Sequence, residues 1–172
     1  MERIISLAGF MGSGKSSAGK ALASMMQLSF VDLDNYIEER SHETIPAIFE
    51  TKGNDYFREL EHDCLMELLE RDTDSFILAL GGGTPCREDN LDAIRNKSFC
   101  IYLRASEEEL AKNLEGTRDS RPMLKSNSIK ALLEQRLPYY HKAARLIIDV
   151  DGMNEEEVAS SILSKLSDLS KA

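Results

Sequence analysis

Short apolar runs alternate with longer amphipathic stretches along most of this chain. The apolar runs have the length of strands, whereas the stretches between them repeat apolar residues at helical spacing. Two of these stretches open with capping-box patterns, Ser106-x-x-Glu109 and Asn154-x-x-Glu157. The strand candidates cover residues 3–8, 29–31, 75–80, 98–103 and 146–150. Five strands separated by helices predict an α/β fold, in which a five-stranded parallel sheet carries helices on both faces.

Two long segments interrupt this alternation. Residues 34–74 have a helical pattern but exceed the length that a simple crossover between strands needs. Residues 115–127 are polar, lack apolar periodicity and include Arg118, Asp119, Arg121 and Lys125. Because this second segment has little to bury, it is predicted to be a mobile lid, although a plain polar loop would have the same composition. No repeat or linker divides the chain, so residues 1–172 are expected to form one domain.

The composition argues against several classes of protein. Apolar residues make up 42% and charged residues 30% of the 172 residues, which is typical of a globular domain. The 21 basic and 30 acidic residues give a formal net charge of -9, so nucleic acids and anionic membranes are not expected as partners. Neither a signal peptide nor a membrane span is expected. Cys64, Cys86 and Cys100 share no metal-binding spacing and predict idle thiols in a reducing cytoplasm.

The most informative stretch lies between the first strand candidate and a helix predicted over residues 17–26. Residues 9–16 match the phosphate-loop pattern G-x-x-x-x-G-K-[ST] at every fixed position. The glycines of such a loop let backbone N–H groups converge on a phosphate, and the helix N-terminus adds partial positive charge. Lys15 would reach the β- and γ-phosphates, and the Ser16 hydroxyl would contact Mg²⁺. A chance match is the alternative, and the flanking strand and helix count against it.

Two acids follow the second strand candidate, where ligands of open parallel sheets bind. Asp32 and Asp34 are two apart, so on an extended chain both carboxylates can face one site. One could hold Mg²⁺ through water, and the other could accept a proton from an attacking hydroxyl or orient it. The alternative is a pair of helix-start acids, with Asn35-x-x-Glu38 as a capping box.

Gly81-Gly82-Gly83 follows the third strand candidate. Three glycines would let a ligand approach the backbone closely, unless they form only a flexible turn. In the first long segment, Arg58 could clamp a carboxylate with its planar fork. It could equally pair with Glu61 or Asp55 on a solvated helix face.

Two further arginines are candidates for anion binding. Arg136 shares a helix face with Tyr140, four residues on, and could instead be a surface arginine stacked on that ring. Arg121, in the predicted lid, would stabilise negative charge on a transferring phosphate. The three histidines, His42, His62 and His141, have no metal or triad spacing and are expected on the surface.

Together these residues resemble the shikimate kinase family over nearly the whole chain. The motifs occur in family order: residues 9–16, Asp32-x-Asp34, Phe57-Arg58-x-x-Glu61, Gly81-Gly82-Gly83, Arg121-Pro122-Met123-Leu124 and Arg136-x-x-x-Tyr140. The resemblance implies a P-loop kinase fold with a substrate-binding excursion at 34–74 and a lid at 115–127. It also implies ATP-dependent phosphorylation of the 3-hydroxyl of shikimate to shikimate 3-phosphate, in chorismate and aromatic amino acid biosynthesis. We expect a cytoplasmic monomer that uses Mg²⁺, with shikimate and ATP as its partners.

The resemblance also assigns a role to individual residues. Asp34 would bind the shikimate hydroxyls and act as base, while Arg58 and Arg136 would hold the carboxylate. Arg121 would contact both the substrate and the transferring phosphate, and Arg118 would flank the adenine. The full assignment is Lys15, Asp34 and Arg121 for catalysis; Gly12, Ser13, Gly14, Lys15, Ser16, Ser17 and Arg118 for ATP; Asp34, Arg58, Gly81, Gly82, Gly83 and Arg136 for shikimate; and Ser16 and Asp32 for the metal.

The chain departs from the family pattern at three places. Met123 replaces a usual leucine, Asn54 replaces a frequent glutamate, and residues 151–154 lack an arginine that some members place beside adenine. The nearest alternative is another small P-loop kinase, for gluconate or a nucleoside monophosphate. A nucleotide acceptor would require more arginines, and a neutral-sugar acid could use a single one. A regulatory module without catalysis predicts damage to Lys15, Asp34 or Arg121, and all three are intact.

Overall fold

A five-stranded, all-parallel sheet forms the centre of the molecule. The computed structural model describes residues 2–72, 74–117, 121–126 and 128–172, with the backbone alone at 125 and 126. The strands are β1 Ile4–Ala8, β2 Ser29–Asp32, β3 Phe76–Ala79, β4 Phe99–Arg104 and β5 Leu146–Asp149, in the spatial order β2-β3-β1-β4-β5. All five predicted strands are confirmed, with ends that differ by at most one residue.

Eight helices among the described residues connect and cover these strands. They are α1 Lys15–Met26, α2 Leu33–Ser41, α3 Ile45–Leu69, α4 Glu88–Lys97, α5 Glu107–Leu114, α6 Pro122–Ser126, α7 Ile129–Ala143 and α8 Glu155–Lys171, with a 3₁₀ turn at Thr84–Cys86. The predicted caps are observed, since Ser106 and Asn154 each accept a hydrogen bond from the backbone N–H three residues on. Asn154 and Glu157 form a complete capping box.

The sheet separates two apolar cores, because successive side chains of a strand point to opposite faces. In β1, Ile5 and Leu7 belong to the core that α1, α5 and α8 cover. Ile4 and Ala8 belong to the other core, which α2, α3 and α4 cover. Every residue of β1 and of β3 is buried, as expected for strands covered on both faces. The prediction of helices on both faces is therefore confirmed.

The long segment at 34–74 consists of two helices. Helix α2 takes up its first part, and α3 fills most of the rest. Gly53 interrupts α3 with a φ of 86° and a ψ of 175°, a conformation that glycine adopts without the steric cost other residues would incur. The helix resumes after Gly53 and carries Phe57, which is buried in the core beside α2, and then Arg58.

One expectation about the second long segment is wrong for the residues that the structure describes there. The sequence analysis gave residues 115–127 little to bury, yet Leu124 in α6 is fully buried in the core beside α1 and α7. Met123 packs partly against the same core. The helical period of a single turn was too short to detect, which is why this apolar anchor was missed.

No helix among the described residues combines the length and the apolar character that crossing a bilayer requires.

The core beside α1 provides a test of the fold. Leu22 is fully buried, whereas Met25, three residues further along α1, is 42% exposed. We expect Leu22→Ala to lower the free energy of unfolding by about 2–5 kcal/mol, because it leaves a cavity in a close-packed core. Met25→Ala should change it by about 0.5 kcal/mol or less. Urea unfolding of both variants makes the comparison, and equal losses would contradict the packing described for α1.

Candidate active site

A cleft of about 490 Å³ lies at the carboxyl ends of β1, β2 and β3. These strands are neighbours in the sheet, so the loops that follow them converge at one edge. Nearly every residue named for function in the sequence analysis borders this cleft. Its lining includes Gly12, Gly14, Lys15, Ser16, Ser17, Asp32, Asp34, Arg58, Gly81, Gly82, Gly83, Arg121 and Arg136.

The phosphate loop links the end of β1 to the start of α1. Its turn is closed by the Ser13 N–H, which donates to the Phe10 carbonyl at 3.1 Å. Gly14 caps α1 with a φ of 87°. On its far side the loop is backed by α5, where Asn113 Nδ2 donates to the Gly12 carbonyl at 2.9 Å. The free N–H groups of the first turn of α1 thus open toward the cleft, as anion binding requires.

The Ser13 side chain differs from the other predicted ATP residues. Its hydroxyl is buried, has no hydrogen-bond partner among the described residues, and lies against Gly9 rather than in the cleft lining. Any contact of Ser13 with a nucleotide would therefore come from its backbone. Arg118, also assigned to ATP, lies outside the described residues.

Lys15 is folded back onto its own loop. Its Nζ donates to the carbonyls of Gly9 at 2.8 Å and Phe10 at 3.0 Å, and the residue is 9% exposed. Burial lowers the pKa of Lys15 to about 8, although the carboxylates of Asp34 and Asp32 partly oppose that change. The ammonium group is therefore kept at the mouth of the phosphate loop with part of its hydration removed.

The path of the chain at the two acids differs from the prediction. Asp32 ends β2 and caps α2, accepting a hydrogen bond from the Asn35 N–H at 3.2 Å. Asp34 then lies in the first turn of α2, so the two acids do not share an extended strand, but both border the cleft. The Asn35-x-x-Glu38 capping box is absent, because Glu38 accepts from the Ile45 N–H instead.

Two side chains whose oxygens could bind a metal ion are hydrogen-bonded to each other at the base of the phosphate loop. Ser16 Oγ donates a short hydrogen bond to Asp32 Oδ2, which joins the first residues of α1 to the end of β2. Hydroxyl and carboxylate oxygens are the hard donors that Mg²⁺ prefers, with phosphate oxygens of a substrate supplying further ligands. The donor set therefore fits a magnesium ion. Among the described residues no cluster of three or more His, Cys, Asp or Glu side chains suits a metal held by the protein alone.

Asp34 has an altered protonation equilibrium. Its pKa is raised to about 6, mainly by burial; the negative charges of Asp32 and Glu61 contribute to that rise, and Lys15 opposes it. A carboxylate with a pKa near neutrality accepts a proton from a hydroxyl more readily than an ordinary aspartate does. The electrostatics of Asp34 therefore suit a base.

The three glycines after β3 form the floor of the cleft beneath its charged side chains. A Cβ on Gly81 would lie 3.1 Å from Asp34 Oδ1, and one on Gly82 would lie 3.0 Å from Arg136 Nη1. A Cβ on Gly83 would lie 2.8 Å from both terminal nitrogens of Arg58. These glycines are required by close approach and not by a positive φ. The functional interpretation of the glycine run is thus favoured over a flexible turn.

Arg58 is held by a buried acid. Its Nη1 donates to Glu61 Oε1 at 2.8 Å, and Glu61 is 1% exposed. The other oxygen, Glu61 Oε2, accepts from the Thr84 hydroxyl at 2.9 Å, and the Thr84 carbonyl accepts from Asn90 Nδ2. The predicted pair of Arg58 and Glu61 exists, but it lies in the cleft wall and not on a solvated face. Sequence reasoning gave Thr84 and Asn90 no role, and no pattern marks them.

Arg136 is buried, so its interpretation as a surface arginine is wrong. It is 4% exposed, and its Nη1 has no hydrogen-bond partner among the described residues. Its guanidinium carbon lies 5.8 Å from the centre of the Phe10 ring. A buried guanidinium N–H without an acceptor is costly, and the cleft in front of it can receive an anion that would satisfy it.

Arg121 reaches the cleft from the start of α6. Its Nε donates to Thr117 Oγ1 at 3.3 Å, and Thr117 Oγ1 in turn donates to the Leu114 carbonyl. The cleft also has an apolar wall that the sequence analysis did not identify, formed by Ile45, Pro46, Phe49 and Phe57 of α3. His62 departs from its predicted surface position, since it is partly buried and hydrogen-bonded to Asn90 Oδ1 at 2.6 Å.

Comparison with known proteins places this geometry in a family. The family model described as shikimate kinase matches residues 11–167. The shikimate kinase of Parabacteroides distasonis is 39% identical over 96% of this chain and 98% of its own. A structure of the Acinetobacter baumannii shikimate kinase in complex with shikimate superposes with a TM-score of 0.90 at 30% identity, over 96% of this chain and 93% of that one. A gluconokinase from Sinorhizobium meliloti has a TM-score of 0.59 at 19% identity, covering 97% and 93%, which shows a shared fold alone.

The raised pKa of Asp34 predicts how stability depends on pH. The pKa lies above the ordinary value of 3.8, so the free energy of unfolding falls as the pH rises from about 4, and the loss is complete once the pH has passed through about 6. Below about pH 4 both states are protonated and this cost is absent. We expect Asp34→Asn to be more stable than the parent by about 1–3 kcal/mol above pH 6, with the difference shrinking as the pH falls toward 4.

Urea unfolding between pH 4.5 and 8 measures this difference. Asp168→Asn, which removes a carboxylate from the exposed side of α8, is the matched control. A stability gain for Asp34→Asn that stayed constant with pH would show that burial does not penalise the Asp34 carboxylate.

Proposed function

Because the chain belongs to the shikimate kinase family, we propose that it transfers the γ-phosphoryl group of ATP to the 3-hydroxyl of shikimate. The product is shikimate 3-phosphate, in chorismate and aromatic amino acid biosynthesis. The observation that carries the proposal is the cleft itself, which a phosphate loop, the Asp34 carboxylate and the two arginines Arg58 and Arg136 line together. A small hydroxy acid that is to be phosphorylated needs these three features in one site.

The arginine pair is suited to a carboxylate. Arg136 presents a buried N–H that has no partner in the described part of the chain, and Arg58 is fixed by Glu61 with other donors left for a ligand. Two guanidinium groups can each form charge-assisted hydrogen bonds to one carboxylate, which fixes both its position and its orientation. In the proposal, Arg58 and Arg136 hold the shikimate carboxylate, and the backbone of Gly81, Gly82 and Gly83 lies beneath the ring.

The transfer itself is supported by Asp34, by the cations Lys15 and Arg121, and by the phosphate loop. Asp34 accepts hydrogen bonds from the shikimate hydroxyls and takes the proton of the attacking one, for which its raised pKa suits it. Lys15 leaves the carbonyls of its own loop to reach the transferring phosphate. Arg121 stabilises charge that develops on that phosphate. The backbone of Gly12, Ser13 and Gly14 and the first turn of α1, with Ser16 and Ser17, bind the other phosphates.

Magnesium is the proposed cofactor of this site. Ser16 and Asp32 would hold the ion together with phosphate oxygens of ATP, as their mutual contact and their hard oxygen donors indicate. When bound, the ion neutralises negative charge on the phosphates. We further propose that Arg118 flanks the adenine, that residues 115–127 act as a lid, and that the protein is a cytoplasmic monomer. The three free cysteines are compatible with a reducing compartment.

Two alternative functions make different demands on the cleft. A nucleoside monophosphate kinase would need further cations for a second phosphate group. The cationic side chains that border the described cleft are Lys15, Arg58, Arg121 and Arg136, and the proposed function already uses all four. A gluconate kinase would bind a more flexible acid with less need for a buried arginine pair. A regulatory module would tolerate loss of Lys15 or Asp34, yet both are present and both have a pKa shifted toward neutrality.

The identity of the acceptor is tested by assaying each candidate acceptor separately. With ATP and Mg²⁺ held constant, shikimate should be phosphorylated far faster than gluconate or AMP, measured as ADP release. The physical reason is the match of two arginines and one carboxylate base to a rigid acid with vicinal hydroxyls. A higher kcat/KM with gluconate or AMP would refute the assignment.

Arginine substitutions should separate binding from chemistry. Arg58→Ala removes a fork to a carboxylate that is charged throughout the reaction, so the KM for shikimate should rise about 10–100-fold with a smaller effect on kcat. Arg121→Ala removes a donor to charge that exists only during transfer, so kcat should fall by about 10²-fold or more while the KM for ATP changes little. Arg58→Lys keeps the charge without the fork and is the control for the first variant. An unchanged shikimate KM in Arg58→Ala would remove Arg58 from the binding site.

A further inference from the structure

The three glycines of the cleft floor, Gly81, Gly82 and Gly83, all accept a hydrogen bond at their carbonyl oxygen. The Gly81 carbonyl accepts from the Thr84 N–H at 3.2 Å, and the Gly83 carbonyl accepts from the Cys86 N–H at 3.0 Å. The Gly82 carbonyl differs, because its donor is a side chain: the Tyr140 hydroxyl, at 2.6 Å. Within the described part of the chain, the N–H groups of Gly82 and Gly83 donate to no other residue.

The Tyr140 bond determines where one of these N–H groups points. The carbonyl of Gly82 and the N–H of Gly83 belong to the same planar peptide unit, and in a trans peptide they point in opposite directions. Drawing the carbonyl toward Tyr140 therefore turns the N–H of Gly83 away from Tyr140. Between two glycines such a unit has little intrinsic preference, because neither residue has a Cβ to restrict rotation of the peptide plane.

Tyr140 is well suited to fix this orientation. It is fully buried in α7, and its ring centre lies 5.1 Å from that of Tyr102 in β4. One helical turn earlier on α7, Arg136 brings its unpaired Nη1 to within 3.0 Å of the position of a Cβ on Gly82. The same helix therefore carries both the arginine above the glycine floor and the hydroxyl that orients that floor.

We propose that Tyr140 is a positioning residue for the acid substrate, a role that rests on the proposed function. By holding the Gly82 carbonyl, Tyr140 keeps the N–H of Gly83 available to the carboxylate that Arg58 and Arg136 bind. If the peptide unit rotated, a carbonyl oxygen would replace that N–H and repel the carboxylate. Tyr140 itself touches neither the substrate nor the transferring phosphate, so its loss weakens acceptor binding and leaves the chemical step in place.

The test compares two substitutions that each remove one hydroxyl. Tyr140→Phe deletes the donor to Gly82, and Tyr102→Phe deletes a hydroxyl from the same aromatic pair that donates to no described residue. We expect Tyr140→Phe to raise the KM and the calorimetric Kd for shikimate about tenfold, the loss expected for one buried hydrogen bond. The kcat and the KM for ATP should stay within about twofold to threefold of the parent values. Tyr102→Phe should leave all of these constants near those of the parent.

A second measurement does not depend on activity. In the free protein, the amide hydrogens of Thr84 and Cys86 should exchange faster in Tyr140→Phe than in Tyr102→Phe, because the peptide units that they hold lose their central anchor. Equal shikimate constants in the two variants, or a fall in kcat without a change in Kd, would overturn the positioning role. If the parent protein did not phosphorylate shikimate, the proposed function would fail, and the exchange comparison would still decide whether Tyr140 orients the loop.

Discussion

The cleft depends on the close approach of charged side chains to backbone that has no Cβ. Asp34, Arg136 and Arg58 lie over Gly81, Gly82 and Gly83 in turn, each at a distance that a methyl group would occupy. The phosphate loop meets the same floor, since the Met11 nitrogen lies 3.3 Å from the Cβ position of Gly82. Each of the three glycines therefore lies beneath a different charged side chain of the cleft. An added side chain at any of these three positions would displace a charge that the others depend on.

The cleft brings four cationic and four acidic side chains together, the acids being Asp32, Asp34, Glu38 and Glu61. The chain as a whole has a net charge of -9, yet Lys15, Arg58, Arg121 and Arg136 all border this one site. Burial is the largest cause of the pKa changes of both Lys15 and Asp34, and it favours the neutral form of each. Arg136 Nη1 is also unsatisfied, because it is buried and has no hydrogen-bond partner among the described residues. An anionic substrate would give this nitrogen an acceptor, so the same contact would contribute binding energy and satisfy a buried donor.

The sequence predicted the strands, the phosphate loop and most cleft residues, because apolar runs and the glycine–lysine pattern are local signals. For Asp32 and Asp34 it offered both an extended path and a pair of helix-start acids, and the structure has the second, without the Asn35-x-x-Glu38 capping box. It could not reveal that Arg136 is buried, because burial depends on how α7 packs over the sheet. Glu61 was identified only as a neighbour of Arg58, and Thr84, Asn90 and the Tyr140 hydroxyl gained their roles from contacts between distant segments.

The strand order has a consequence for the way the molecule is built during synthesis. Strands β1 and β2 are consecutive in the chain but are not neighbours in the sheet, because β3 lies between them. β1 gains its partners only when residues 76–79 and then 99–102 are available. Pairing between segments so distant in sequence is slow, since loop closure must precede the contacts that reward it. The strand that supports the phosphate loop therefore stays unpaired until residues 76–79, and then 99–102, have also been synthesised.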